Sequence, residues 1–416
     1  MLTSLLRILL TRSFTPFTFK NEYSGKIDFQ NEKDIGLYVH IPFCRNICSF
    51  CPYCKTIYDN NTAIQYKIAL LKEIAIIGSM LQTKKNTTSL YFGGGTPALM
   101  ISDLKDIINT LKKYFIIHGG IGVELHPEDI TKENLLILKD AGVTMVSLGI
   151  QSFNENCLEN IGRKSSLFKE KITLVKNIGF EVIDVDLIFA IPGQTKDILL
   201  QDIDTAFSFG ATQISTYPFI DFTFAENKNK PLPEKYKKQL LEAVNNYCKT
   251  TGKTRTSVWT FVKRNSGKYS SVTRDNFLGF GVSAVTLLGK KFKINTFSIE
   301  SYINRINNYM LPTSLTLNFT LRQRAVYYIF WSIYGNKLDP KEFEKIIGTS
   351  LKKLYGFELF IGEKTGILIK NDDIYYLTDK GAYYYHYIEQ VYTTAYIDKM
   401  WNILRKTDFP EQMILK

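Results

Sequence analysis

From residue 36 onward, short apolar runs alternate with segments of helical spacing. GLYVHIPF (36–43) reads as a strand, and NTAIQYKIALLKEIAIIGSML (61–81) repeats its apolar positions at intervals of three and four, which predicts a helix. Further strands are expected at SLYFGGG (89–95), IGVELHP (121–127), VTMVSLGIQ (143–151), EVIDVDLIFAIPG (181–193) and ATQISTYPFI (211–220). Helices fall between them at 101–115, at 131–142, through about 177, and at 195–210. TKENLLILKDAG (131–142) opens on a Thr cap and closes on Gly, which is helix punctuation. The strands are continuous apolar runs rather than alternating ones, as expected when helices cover both faces of a parallel sheet. Six β/α units in succession predict a barrel or an open arc, with its chemistry at the C-terminal ends of the strands.

After about 225 the pattern stops. AENKNKPLPEKY (225–236) reads as a linker, and 237–310 is mixed, with a helix at 237–250 and a glycine-rich stretch FLGFGVSAVTLLG (277–289). From about 318 the order is helix, helix, short strands around GILIKNDDIYYLT, then helix, which suggests a small winged-helix-like unit. The Tyr-rich GAYYYHYIEQVY (381–392) places its aromatics at helical spacing and reads as core. The division expected is an arm over 1–35, a partial barrel over 36–225, a barrel-completing or linker region over 226–315 and a C-terminal domain over 316–416.

Composition narrows the class. Over 416 residues the chain is 45% hydrophobic and 22% charged, an ordinary folded protein with ample core. Six cysteines are too few for a disulfide-built scaffold of this length and favour a reducing, cytoplasmic setting. The net charge of +12 points to an acidic partner, or to a lysine-rich solvated exterior. The opening MLTSLLRILLTRSFTPFTFK is apolar and acid-free but lacks an A-x-A-like cleavage site, and reads as an arm packing onto the body. No stretch approaches a transmembrane helix.

Four of the six cysteines lie in CRNICSFCPYC (44–54). A disulfide cluster is disfavoured by compartment. A four-cysteine zinc site joins two pairs across a spacer of roughly a dozen or more residues, whereas here Cys48 and Cys51 are separated by only two residues. One continuous turn is better shaped to wrap a face of a larger object such as a 4Fe–4S cubane. If Cys44, Cys48 and Cys51 hold three irons, the fourth is open to a ligand. YFGGGTP (91–97) ends a strand on three glycines whose backbone can approach a small polar ligand closely. Cys157 and Cys248 fall on helices and read as core thiols.

YVHIPFCRNICSFC, YFGGGTP, VELHPEDIT, VSLGIQSFN with IGR, and DVDLIFAIPGQT together resemble the radical S-adenosylmethionine (SAM) enzymes of the oxygen-independent coproporphyrinogen III oxidase type. The resemblance covers about residues 36–220, extends weakly through FLGFGVSAV, and touches the tail at YLTDKG. It implies a partial (βα)6 TIM-type barrel of the α/β class, a 4Fe–4S cluster on Cys44, Cys48 and Cys51, and SAM chelating the open iron. Tyr38 and Phe50 would flank the cofactor, and Gly93, Gly94, Gly95 and Thr96 would meet the methionine amino group through backbone atoms. Glu124, Gln151, Arg163 and Asp186 match positions lining the SAM site. The chain departs from the oxidase pattern in placing Tyr53 where an extra Cys often stands, with Cys54 one further on; Cys54 is read as a non-ligand. His40, beside the cluster loop, is expected to support the cluster or face substrate.

Several reactions are compatible with the resemblance. The first is oxidation of an acidic tetrapyrrole, with Lys263, Arg264 or Arg274 binding its carboxylates and an electron donor such as flavodoxin or ferredoxin. The second uses a second SAM for methyl transfer, as in relatives that open haem anaerobically. The third is a non-catalytic haem carrier, a branch marked by H-N-x-x-Y-W before the glycine stretch, where this chain has SSVTRDNFLGFG and no His. A zinc-dependent nucleic-acid module fits the charge but leaves the barrel pattern unexplained, so no stable nucleic-acid partner is expected.

Overall fold

The computed structural model describes residues 2–23, 25–29, 34–225, 227, 229–264 and 275–416. The chain opens with α1 (Leu2–Thr11) and β1 (Phe17–Lys20). The α/β series then runs β2 (Asp34–Ile41), α2 (Asn60–Gly78), β3 (Lys85–Gly94), α3 (Ile101–Tyr114), β4 (Ile121–Leu125), α4 (Lys132–Asp140) and β5 (Met145–Gln151). It continues with α5 (Glu155–Asn160), α6 (Phe168–Ile178), β6 (Val182–Phe189), α7 (Lys196–Phe209) and β7 (Gln213–Pro218). Strands β2 to β7 pair in sequence order and all in parallel, giving the six-unit partial barrel that the apolar runs predict. In β6, seven of eight residues are buried, which is why VIDVDLIF shows no alternation.

Side-chain caps punctuate the helices: Asp59 accepts from Thr62 N–H, Thr131 from Asn134 N–H and Thr195 from Ile198 N–H. The helix expected through 177 is broken into α5 and α6. The chain turns at Gly162, whose φ of +71° is the left-handed region, and this places Arg163 and Lys164 on the loop between.

Next come α8 (Glu234–Thr250), β8 (Lys253–Arg255), β9 (Thr260–Lys263), β10 (Phe277–Phe280), β11 (Val285–Leu288), β12 (Lys291–Asn295), α9 (Ile299–Asn307) and β13 (Thr313–Asn318). The last part is α10 (Leu321–Tyr334), α11 (Pro340–Ile347), α12 (Leu351–Lys364), β14 (Leu368–Asn371), β15 (Ile374–Leu377), α13 (Asp379–Tyr392), a π-helical turn at Thr393–Ile397, α14 (Asp398–Leu404) and β16 (Gln412–Leu415). One side of the parallel arc is extended by antiparallel β9 and β8. The other is extended by β10, parallel to β2, and then by β11, β12, β13, β1 and β16. The largest apolar core lies between the arc and its covering helices. In the Tyr-rich α13, Tyr385 and His386 are buried while Tyr384 and Tyr387 are exposed. Among the described residues no helix is long and apolar enough to cross a membrane.

Candidate active site

The cysteine loop leaves the C-terminal end of β2 and folds over the mouth of the barrel. Residues two apart on a strand share a face, so Tyr38 and His40 point the same way and meet, Tyr38 Oη to His40 Nδ1 at 3.0 Å. His40 Nε2 lies 2.8 Å from the carbonyl oxygen of Cys54. A carbonyl only accepts, so Nε2 carries the proton and Nδ1 accepts from the tyrosine. Burial lowers the His40 pKa to about 4, which keeps the ring neutral in this arrangement. His40 therefore pins the far end of the cysteine loop to the barrel.

The glycines of β3 meet the same loop. A Cβ on Gly94, whose φ is +116°, would lie 2.5 Å from the His40 ring, and one on Gly95 would lie 2.5 Å from the Phe43 carbonyl oxygen. Gly95 N–H donates to Ile41 O and Thr96 N–H to Phe43 O, each at 2.7 Å, so two backbone bonds fasten this turn to the residues leading into Cys44. Gly94 N–H donates to Glu124 Oε2 at 3.1 Å and Tyr91 Oη to Glu124 Oε1 at 2.7 Å. With these N–H groups committed, the turn has carbonyls left for a ligand, which suits a donor such as an ammonium.

A cavity of about 1170 Å³ opens beneath the loop. Cys44, Cys48, Cys51, Phe50, Gly94, Gly95, Thr96, Glu124, Gln151, Arg163 and Asp186 all line it. Tyr38 and Gly93 stand behind the wall, Tyr38 stacked on Tyr91 with ring centroids 6.3 Å apart. Cys54 also lies outside it, its thiol donating to Phe297 O at 3.4 Å. Such a volume exceeds the roughly 300–1,000 Å³ of an ordinary small-molecule pocket and leaves room for more than one ligand.

Glu124 and Asp186 are held towards their neutral forms. Burial raises Glu124 to about 7 against the opposing Gly94 N–H. Asp186 is raised by burial and then by Asp184, two residues away on the same face of β6, while Ser147 donates to it at 2.8 Å. Arg163 donates to Gly149 O at 2.6 Å and approaches Cys48 Sγ at 3.5 Å. Gln151 sits at φ +74° beside a register shift in the β5–β6 pairing, a strained position at the rim.

The donor set fits an iron–sulfur cluster. Burial raises the Cys44 thiol to about 11 and also raises Cys51, so both are protonated until a metal displaces the proton. Lys55, bonded to the Cys51 carbonyl at 2.5 Å, acts against that rise at Cys44 and Cys51 and favours their thiolates. Among the described residues no three His, Cys, Asp or Glu side chains converge as a single-ion site. Thiolates that each take a different iron of a cubane do not need to converge.

Besides Arg163, four cations that the sequence reading did not find line the cavity: Arg45, Lys55, Lys164 and Lys171. Lys263 is not among them. Its N–H bonds to Thr212 O at the start of β7 and its Nζ to Phe207 O, which places it at the opposite end of the strands. Arg264 is exposed and off the cavity wall, and Arg274 lies outside the described residues. The far wall is aromatic, with Tyr53, Tyr217, Trp259, Trp331 and Trp401. Three of these come from beyond residue 250, where nothing in the local pattern marks them as facing a site. His386 is fully buried behind this wall, edge-on to Trp259 with centroids 4.4 Å apart.

Comparison with known proteins accords with this geometry. Residues 38–206 match the radical SAM superfamily. The chain is 28% identical over 362 residues to the haem chaperone HemW of Bacillus subtilis, covering 83% of this chain and 95% of that protein. It is 23% identical over 406 residues to the oxygen-independent coproporphyrinogen III oxidase of Helicobacter pylori, covering 89% of this chain and 88% of the relative. The Escherichia coli coproporphyrinogen III oxidase HemN, a radical SAM enzyme, shares the fold with a TM-score of 0.77 at 20% identity, over 94% of this chain and 98% of that one. Three cysteines on a turn over a parallel barrel accord with the radical SAM match over residues 38–206, in a chain similar along most of its length both to HemW and to oxygen-independent coproporphyrinogen III oxidases.

Proposed function

We propose that this chain is a radical SAM enzyme acting on an acidic tetrapyrrole, by oxidative decarboxylation of the coproporphyrinogen III oxidase type. The observation that carries the reading is one cavity of about 1170 Å³, bounded by the cysteine loop, by cations and by an aromatic wall. A 4Fe–4S cluster on Cys44, Cys48 and Cys51 supplies, with SAM, the reductive cleavage that yields a 5′-deoxyadenosyl radical.

The chain's own residues bind and aim. Arg163, fixed by Gly149 O, would present a guanidinium to a carboxylate of SAM, and the carbonyls of Gly94 and Gly95 would accept from its amino group. Glu124, fixed from two sides, and Asp186, held by Ser147, take hydroxyl or amine donors. Phe50 packs at the cofactor, while Tyr38 and Gly93 shape the wall from behind. Gln151 lines the cavity from its strained position at the end of β5. Lys164 at the cavity wall, and Lys171 beside it with its Nζ also bonded to Pro127 O, are placed to meet propionate carboxylates that the displaced Lys263 does not reach. The aromatic wall keeps water from the reacting side chain, a propionate that would give a hydrogen atom to the deoxyadenosyl radical, lose carbon dioxide and pass the remaining electron to a one-electron acceptor, leaving a vinyl group.

The test is anaerobic: reconstitute and reduce the cluster, add SAM, and quantify nucleosides with and without coproporphyrinogen III or haem. Deoxyadenosine that rises with coproporphyrinogen supports the oxidase reading; S-adenosylhomocysteine alongside it means a second SAM and methyl transfer. The 28% identity to a haem chaperone over 95% of its length favours a second reading, haem carriage. Tight haem binding without deoxyadenosine from a fully loaded cluster would establish that one instead.

A further inference from the structure

Among the described residues, the part of the chain beyond β7 gives the cavity wall one acid. Glu389 lies on α13, near the end of the chain, and lines the same cavity as Cys44 and Asp186. Its Oε2 accepts from the indole Nε1–H of Trp259 at 2.9 Å. Trp259 is itself fixed: it is 2% exposed, packs edge-on against His386, and its carbonyl accepts from Thr216 on β7. The indole donor settles which carboxyl oxygen is the acceptor. Oε1 is the one left for a ligand.

We propose that Glu389 is a substrate-positioning residue, its carboxyl donating a hydrogen bond to a carboxylate of the substrate and so fixing the orientation of the macrocycle in the cavity. This rests on the tetrapyrrole reading and adds a contact to it. The chemistry follows from the surroundings. Burial raises the Glu389 carboxyl to about 8, against the indole N–H that favours the anion. At neutral pH the acid is protonated, and with Oε2 accepting from Trp259 the proton belongs on Oε1. The open atom is then a donor, complementary to a carboxylate and not to a pyrrole N–H.

No cation among the groups around Glu389 holds it ionised; burial and the Trp259 N–H set its state. On its own helix, burial lowers His386 to about 3, so that ring is neutral. From α8, Lys237 donates to Gln390 Oε1 at 2.7 Å and faces Glu234, which leaves it engaged elsewhere. Tyr334 on α10 and Tyr385 on α13 feel the Glu389 charge, and burial keeps both phenols neutral. Asp184 on β6 lies near Tyr334, and burial raises it to about 6. A second ionised carboxylate from the substrate is tolerated here because Glu389 carries no charge of its own.

The probe is coproporphyrin III, whose Soret band reports binding without turnover, with its tetramethyl ester as a ligand lacking carboxylates. The protein is the cluster-loaded full chain, with iron content and circular dichroism showing that each variant folds. Glu389→Gln keeps a donor and cannot ionise; Glu389→Ala removes the contact; Trp259→Phe releases the carboxyl from its holder. Expected at pH 7 are wild-type-like binding by Glu389→Gln, roughly tenfold weaker binding by Glu389→Ala, corresponding to one hydrogen bond to a charged group, and an intermediate loss in Trp259→Phe. Raising the pH to 9 should weaken wild type and leave Glu389→Gln unchanged, with ester binding flat in every variant. Equal binding by wild type and Glu389→Ala overturns the assignment while leaving the tetrapyrrole reading intact. Loss in Glu389→Gln as large as in Glu389→Ala overturns it too, because the carboxyl would then be an acceptor. No binding of coproporphyrin by wild type overturns both.

Discussion

Arg405, the C-cap of α14, donates to the carbonyl oxygen of Tyr53 at 2.8 Å, across 352 positions of sequence. The same guanidinium nitrogen reaches Pro52 O at 2.9 Å, and Trp401, one turn earlier, lies 6.0 Å from the Tyr53 ring. The cysteine loop is therefore held between two anchors, His40 on the barrel and Arg405 at the end of the last helix.

Removing the second anchor should loosen the loop without dismantling the barrel. Arg405→Ala is expected to lose about 1–3 kcal/mol of stability, the worth of hydrogen bonds from a charged donor. It should bleach its cluster several-fold faster in air, followed as the decay of absorbance near 400 nm. Bleaching at the wild-type rate would show that the clamp plays no part in cluster retention.

The position of each thiol separates ligands from bystander. Cys48→Ala should abolish cluster assembly, because Cys48 lines the cavity beside Arg163. Cys54→Ala should keep most of it, because that thiol points to Phe297 O instead. Iron and sulfide analysis after anaerobic reconstitution decides this, and full iron in Cys48→Ala would sink the three-ligand assignment.

Gly94 tests the close approach of β3 to the loop. Gly94→Ala forces a Cβ to within 2.5 Å of His40 at a φ of +116°. The clash and the backbone strain together should cost about 2–4 kcal/mol, read as a lower urea midpoint. Gly179→Ala makes a control for φ alone, since nothing lies within 4 Å of its Cβ position.

Glu73 on α2 gives a pH signature away from the cavity. It is 1% exposed, and burial raises its pKa to about 7, against donors from Tyr302, Gly281 and Asn295. Between its ordinary range and 7 the folded chain holds a proton that the unfolded chain has released, so this contribution is complete below about pH 4.5 and is lost as pH rises through 7. Stability should fall with pH over that window by on the order of 2–3 kcal/mol from this group. Glu73→Gln should flatten that slope whatever it does to absolute stability. An unchanged slope in urea titrations at pH 5, 6, 7 and 8 would refute the assignment.

The parallel arc was legible because strands buried on both faces leave continuous apolar runs, as in VIDVDLIF, and because Thr131 and Thr195 announce their helices. The break between α5 and α6 was not, since Gly162 within an otherwise helical run gives little warning of a turn. The cysteine spacing marked the loop, but not the uses of its neighbours. The glycines of β3 read as a ligand cradle, yet their N–H groups serve the loop and Glu124. Charge alone suggested Lys263 for the substrate, and only strand register shows it at the wrong end. Glu389 and Trp401 reach the cavity from the end of the chain, a juxtaposition that no window of local sequence contains.

Strand β1 pairs with β16 residue for residue, from Phe17 opposite Leu415 to Lys20 opposite Gln412, and Asn21 reaches Phe409 over 388 positions. This seam orders the making of the protein. During synthesis the barrel emerges early and can fold by local β/α steps, whereas the seam must wait for nearly everything between its two strands. α14 lies on the late side of that divide, so a nascent barrel presents its cysteine turn unclamped. Iron arriving then would meet a loop with one anchor; iron arriving after the seam has closed meets two. Cluster loading is in this sense timed by topology, and a chain halted before α14 would be a barrel whose cysteine turn has the His40 anchor and lacks that of Arg405.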